Sequence, residues 1–151
     1  MSSVSVAPEV SVQELQRYEE LQVQALDFAR QGEVDTLVSM LDAGLPVNLS
    51  DEKGNTLLML ASYNGQLETT RALLERGADT EQRNDRGQTP LGGVAFKGDC
   101  ELAKLLLEYG ADVNADNGGG KAPLLFATMF GRFKMRRLLK LHEAKMWTPK
   151  A

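Results

Sequence analysis

NDRGQTPLGGVAFKGDCELAKLLLEYGADVNAD, residues 84–116, is the stretch that decides the fold. Thr89 can offer its hydroxyl to the free N–H groups of a helix start, and Pro90 suits the first turn, where its missing N–H has no partner to lose. A short inner helix follows to about Phe96, and Gly98 breaks it. Cys100, Ala103, Leu106 and Leu107 then fall at the spacing of one apolar face on a second helix, which Gly110 ends. The segment ADVNADNGGG must reverse direction, and glycine supplies positive φ there without steric cost. Within that inner helix Gly92 and Gly93 each cost about 1 kcal/mol relative to alanine, which predicts the loosest of the inner helices unless a neighbour uses the glycines to approach the backbone.

The pattern recurs. Gly54, Gly87 and Gly120 are spaced 33 residues apart, as are Gly32, Gly65, Gly98 and Gly131, and again Gly44, Gly77 and Gly110. Units DEKGNTLLMLASYNGQLETTRALLERGADTEQR from Asp51 and NGGGKAPLLFATMFGRFKMRRLLKLHEAKMWTP from Asn117 flank the central one, and ARQGEVDTLVSMLDAGLPVN betrays a degenerate first unit. In GQTPL, ALLERGAD, LLLEYGAD and GADVNAD the chain resembles the ankyrin repeat, which has this length and a T-P-L-H-x-A signature. It departs from that signature where histidine is usual, carrying Met59, Gly92 and Leu125.

The resemblance covers about residues 18–146 and implies an all-α fold, an ankyrin repeat solenoid of about four helix-turn-helix units with short β-turn fingers. The units run at about 18–50, 51–83, 84–116 and 117–149. Ahead of them SVQE has the form of a capping box, Ser11 bonding forward and Glu14 reaching back, and it opens an N-terminal capping helix that runs to about Arg30. Residues 11–149 then form a single repeat domain behind a flexible tail at 1–10.

The run NGGGKAP at 117–123 raises the question of a phosphate-binding loop. Such a loop needs G-x-x-x-x-G-K followed by Ser or Thr, whose hydroxyl holds magnesium. Here Ala115 stands where the first glycine belongs and Ala122 where the hydroxyl belongs, so Gly118 to Gly120 read as the tip and base of a finger turn. His142 and Cys100 are the sole residues of their kinds, so a zinc site would have to rely on carboxylates. His142 reads as solvated, and Cys100 shares the apolar register of Val34, Leu67 and Phe133. No enzyme activity, cofactor or metal is expected.

Composition is that of an ordinary globular chain, with 151 residues, 42% hydrophobic and 25% charged, at a net charge of −4. One cysteine permits no internal disulfide and fits a reducing compartment, MSSVSVAPEV lacks the features of a secretory signal, and no stretch approaches a membrane span. The expectation is a cytoplasmic monomer without membrane contact. Charge is uneven, with eight acidic and two basic residues in 1–50 against one acidic and seven basic in 131–151. Arg132, Lys134, Arg136, Arg137 and Lys140 suggest a nucleic-acid or anionic-surface binder. Yet Arg136 and Lys140 occupy registers that hold Ala103 and Leu107 one unit earlier, on the face a fifth unit would cover, and a terminal repeat needs that face polar. Capping explains them better, and the net negative charge argues against a general nucleic-acid binder.

The resemblance implies instead another protein as partner, docked on the concave side formed by finger tips and inner helices. By register those positions are Glu52, Lys53, Asn55, Tyr63 and Asn64, then Asp85, Arg86, Gln88, Phe96 and Lys97, then Gly118, Gly119, Lys121, Met129 and Phe130. Tyr63, Phe96 and Met129 stand 33 apart and should line up as an apolar ladder. The competing reading has these side chains folding back to cover the groove.

Overall fold

The computed structural model describes residues 10–146. The tail expected at 1–10 lies outside the described residues except for Val10, and so do residues 147–149 of the last unit. Among the described residues eight helices follow one another: α1 (Val12–Gln31), α2 (Val34–Asp42), α3 (Leu57–Tyr63), α4 (Leu67–Glu75), α5 (Pro90–Lys97), α6 (Cys100–Glu108), α7 (Pro123–Met129) and α8 (Phe133–Met146). Among the described residues there is no strand, only an isolated antiparallel bridge between Ser50 and Thr56 at the base of a finger.

Each pair packs on itself and on the next pair. The odd-numbered helices form an inner layer, with α1 against α3, α3 against α5 and α5 against α7, while α2, α4, α6 and α8 stack in the same order behind them. Leu37, Leu57, Leu58, Leu73, Leu91, Leu102, Leu106, Met135 and Leu139 fill the space between layers and units as one continuous core. Burial between neighbours is what a repeat array offers in place of a central core.

Local chemistry sets the helix ends. Thr56 accepts a hydrogen bond from the N–H of Met59, and Thr89 accepts one from Gly92 with Pro90 in the first turn. Both hydroxyls satisfy amides that would otherwise have no partner. The capping box opens α1 as read, Ser11 accepting from the Glu14 amide and Glu14 from the Ser11 amide. The capping helix and the inner helix of the first unit are one element. VQELQRYEELQVQALDFARQ contains no Gly, Pro or hydroxyl cap to divide it, so α1 runs for 20 residues until Gly32 ends it in the left-handed region.

The NGGG finger closes differently from the other two. In the finger from Asp51, that residue's carboxylate accepts from the amides of Lys53 and Asn55, and in the next Asn84 accepts from Arg86 and Gln88. In the last finger Asp116 takes this task one residue early, its Oδ1 accepting from Gly118, Gly120 and Lys121 at 2.8, 2.9 and 3.0 Å. Gly118, Gly119 and Gly120 all have positive φ, at 102°, 63° and 81°. A nest of amides that could have held an anion thus encloses the chain's own carboxylate.

Candidate functional site

Asn117 keeps its N–H groups on its own finger but, with Asp116 accepting the finger amides, sends its Oδ1 into the previous unit. Its Oδ1 accepts from the Thr89 amide at 2.7 Å and the Thr89 hydroxyl at 3.1 Å, and its Nδ2 donates to the carbonyls of Ala115 and Lys121. The side chain is buried beside Gly92, where a Cβ would overlap its amide. The loose inner helix expected from the glycine pair is therefore not what the packing describes. Gly92 admits Asn117, and Gly93 lies against Tyr63, whose Cδ2 would stand 3.3 Å from a Cβ at that position.

Fingers and inner helices enclose a groove of about 380 Å³, lined by Asn55, Met59, Leu60, Tyr63, Arg86, Gln88, Gly93, Phe96 and Phe126 among others. It lies between the fingers that begin at Asp51 and Asn84 and the inner layer α3, α5, α7, the side on which the resemblance puts the partner. Five of the residues expected to bind a partner, Asn55, Tyr63, Arg86, Gln88 and Phe96, are brought together there. Lys97 joins them through Tyr63, its Nζ 4.6 Å from the ring centroid in a cation–π contact.

The apolar ladder runs on a diagonal. Phe96 meets Phe130 edge to face, with centroids 4.7 Å apart and an interplanar angle of 74°. Tyr63 likewise meets Lys97, so both contacts join residues 34 apart, beside the 33-residue alignment by which Tyr63 and Phe96 line one groove. Tyr63 and Phe130 keep 44% and 47% of their surface exposed, Met129 61%, and Phe96 is half-buried. The side chains thus neither fold away completely nor stand free.

Other expected positions serve the scaffold. Asn55 is half-buried, donating to Asp51 and accepting from Asn84 of the next finger. Asn64 donates its side-chain amide to the Leu60 carbonyl at 2.7 Å. Asp85 turns its carboxylate back onto Gly54 while its amide bonds the Lys53 carbonyl, tying two fingers together. Glu52, Lys53, Gly118, Gly119, Lys121 and Met129 are exposed outside the groove lining. Sequence reasoning missed Met59, Leu60, Gly93 and Phe126, although Leu60, Gly93 and Phe126 share one register at 33-residue spacing.

Of the basic cluster on and just before α8, Arg132 is already engaged. Its Nε donates to the Phe96 carbonyl at 3.0 Å and its stem lies against Gly98. Lys134, Arg137 and Lys140 are exposed and Arg136 is half-buried. Phe133, 75% exposed, and Leu141 lie among them, so this end is apolar as well as basic. Cys100 is half-buried beside the same patch. No described helix is long and apolar enough to cross a membrane.

The description "Ankyrin repeats (3 copies)" matches residues 25–117 and again 77–149. A protein of Pseudomonas aeruginosa described as an ankyrin repeat protein is 54% identical over 41 residues, which is 27% of this chain and 24% of that protein. The chain thus spans about a quarter of the length of this curated relative. Ankyrin repeats are in general protein–protein interaction modules and as a family a non-enzymatic fold. With helix pairs stacked at 33-residue intervals, hydroxyl caps on α1, α3 and α5 and fingers tied one to the next, the chain belongs to the ankyrin repeat family.

Proposed function

We propose that residues 11–149 act as one repeat domain that binds a single protein partner on its concave face, as an adaptor, an inhibitor or an immunity-type regulator. The observation that carries this reading is the groove of about 380 Å³ with Tyr63 and Phe96 on its walls. Aromatic side chains half-open beside a concave surface are what binding hot spots are made of. The proposal takes the protein as a cytoplasmic monomer with no catalytic activity, cofactor, membrane or nucleic-acid partner. Partner contact extends over the finger tips Glu52, Lys53, Asp85 and Lys121 and the inner-helix ends Asn64, Lys97, Met129 and Phe130. Asn55, Arg86 and Gln88 contribute from within the groove.

The test is titration calorimetry of a partner captured from the native host, against Tyr63→Ala, Phe96→Ala and an Arg137→Ala/Lys140→Ala double variant, with circular dichroism confirming folding. Each aromatic truncation is expected to weaken binding by roughly 1 to 4 kcal/mol. The double variant should bind as the parent does. If the aromatic variants bind normally and the double variant fails, with affinity falling steeply as salt rises, the basic end of α8 is the site and phosphate or another polyanion the target.

A further inference from the structure

Leu60, Gly93 and Phe126 occupy the same position on α3, α5 and α7, in steps of 33 residues, so they form a row across the concave face. The outer two carry large apolar side chains into the groove, and the middle one carries none. The gap at Gly93 is walled one turn further along by Tyr63 and Phe96. Its floor offers no free donor, because the Gly93 amide is spent on the Thr89 carbonyl at 3.2 Å. The groove's volume, about 380 Å³, is at the lower end of the roughly 300 to 1,000 Å³ in which protein pockets bury their ligands.

Two cations stand beside the groove, Arg86 in its lining and Lys97 beyond Tyr63, where Asp99 and Glu101 share the neighbouring hollow. Arg86 lines the groove and Lys97 sits over the Tyr63 ring, and among the described residues neither pairs with a carboxylate. Asp85, the acidic neighbour in sequence, is turned away onto Gly54. We infer that the Gly93 notch seats one apolar side chain of an acidic protein segment, whose carboxylates pair with Arg86 and Lys97. This rests on the concave-face reading above and adds the partner's chemistry to it.

Gly93 also supplies the test, because its φ is not in the left-handed region and a side chain there needs no change of backbone. A Cβ would press only on the exposed, rotatable Tyr63 ring. Gly93→Leu therefore fills the notch, and Gly93→Ala half-fills it, while alanine favours the helix.

The probe is a short synthetic peptide with one Phe between two pairs of Glu, followed by amide chemical shifts of the labelled protein. Matched peptides carry Ser for Phe or Lys for Glu. Shifts should centre on Gly93, Tyr63, Phe96 and Arg86. Gly93→Leu, replacement of Phe and reversal of the peptide's charge should each weaken binding about tenfold or more, and Gly93→Ala less. Circular dichroism checks each variant, and should Gly93→Leu not fold, Gly93→Ala with Arg86→Glu/Lys97→Glu carries the comparison.

Undiminished affinity in the filled variants, equal binding of the Lys peptide, or no binding of the Phe/Glu peptide would overturn the notch. A host-captured partner weakened by Phe96→Ala but indifferent to Gly93→Leu would overturn the notch alone and leave the concave-face reading standing. Indifference to both would remove that reading too.

Discussion

Gly92 and Gly93 are neighbours with opposite roles, and substitution separates them. Alanine at Gly92 forces its Cβ into the buried Asn117 amide, so Gly92→Ala should lower stability by about 1 to 3 kcal/mol despite alanine's helix preference, the usual cost of overpacking. Gly93→Ala meets only an exposed ring and should raise stability by roughly 0.5 to 1 kcal/mol. Urea unfolding midpoints of the two variants check both signs at once, and two changes of the same sign would contradict the packing. Asn117→Ala leaves the Thr89 amide buried without its acceptor and should cost about 1 to 3 kcal/mol by the same measurement. The sequence made the Thr89 cap legible, because T-P at a helix start has one local meaning. It did not show which glycine is filled. The filler comes from the next finger, and both earlier fingers use the residue at Asn117's register to close their own turn.

Helices α3, α5 and α7 begin alike in backbone but not in chemistry. Ala122 has φ −71° and ψ 159°, close to the −78° and 165° of Thr56, yet it offers no hydroxyl to the amides that follow. The Leu125 amide turns instead to the Ala122 carbonyl at 2.9 Å. Ala122→Thr should therefore exchange that contact for a hydroxyl cap and stabilise the last inner helix by at most about 1 kcal/mol, read as a higher urea midpoint. A variant no more stable than the parent would show that the carbonyl serves the amide as well. The far ends of the inner helices are tied across units. Gln66 donates to the Arg30 carbonyl at 2.9 Å and Arg132 to that of Phe96 at 3.0 Å, each reaching back 36 residues. Asp99, at the same register, cannot donate and caps its own helix instead, accepting from Leu102. Glycine spacing made the helix pairs, their caps and the finger turns readable. The diagonal pairing of Tyr63 with Lys97 and of Phe96 with Phe130 was not, because register places backbones while rotamers decide which ring meets which neighbour. By contrast, α1 was legible to its end: the capping box at Ser11 opens a helix read to about Arg30, no Gly or Pro in VQELQRYEELQVQALDFARQ interrupts it, and it runs to Gln31 before Gly32.

Across the whole molecule, acidic residues gather in 1–50 and basic ones in 131–151, while the stacked units between them carry the core. The last unit still buries Met135 and Leu139 against its neighbour, but leaves Lys140 exposed and Arg136 half-buried where the preceding unit has Leu107 and Ala103. Giving them the residues of the preceding unit, Arg136→Ala with Lys140→Leu, joins Phe133 and Leu141 into a wider apolar end and should promote self-association. Sedimentation velocity over a range of concentration checks this, and a variant that sediments as the parent does at every concentration would give those charges another purpose. The proposed reading puts partner choice in the groove, where Leu60 and Phe126 flank Gly93 beside Arg86. Hydrogen–deuterium exchange of the chain alone and in complex with its host-captured partner tests that claim most directly. Protection is expected at residues 52–55, 63–64, 85–88 and 93–97, with α8 unchanged, whereas protection confined to 132–141 would move the binding site to the basic end.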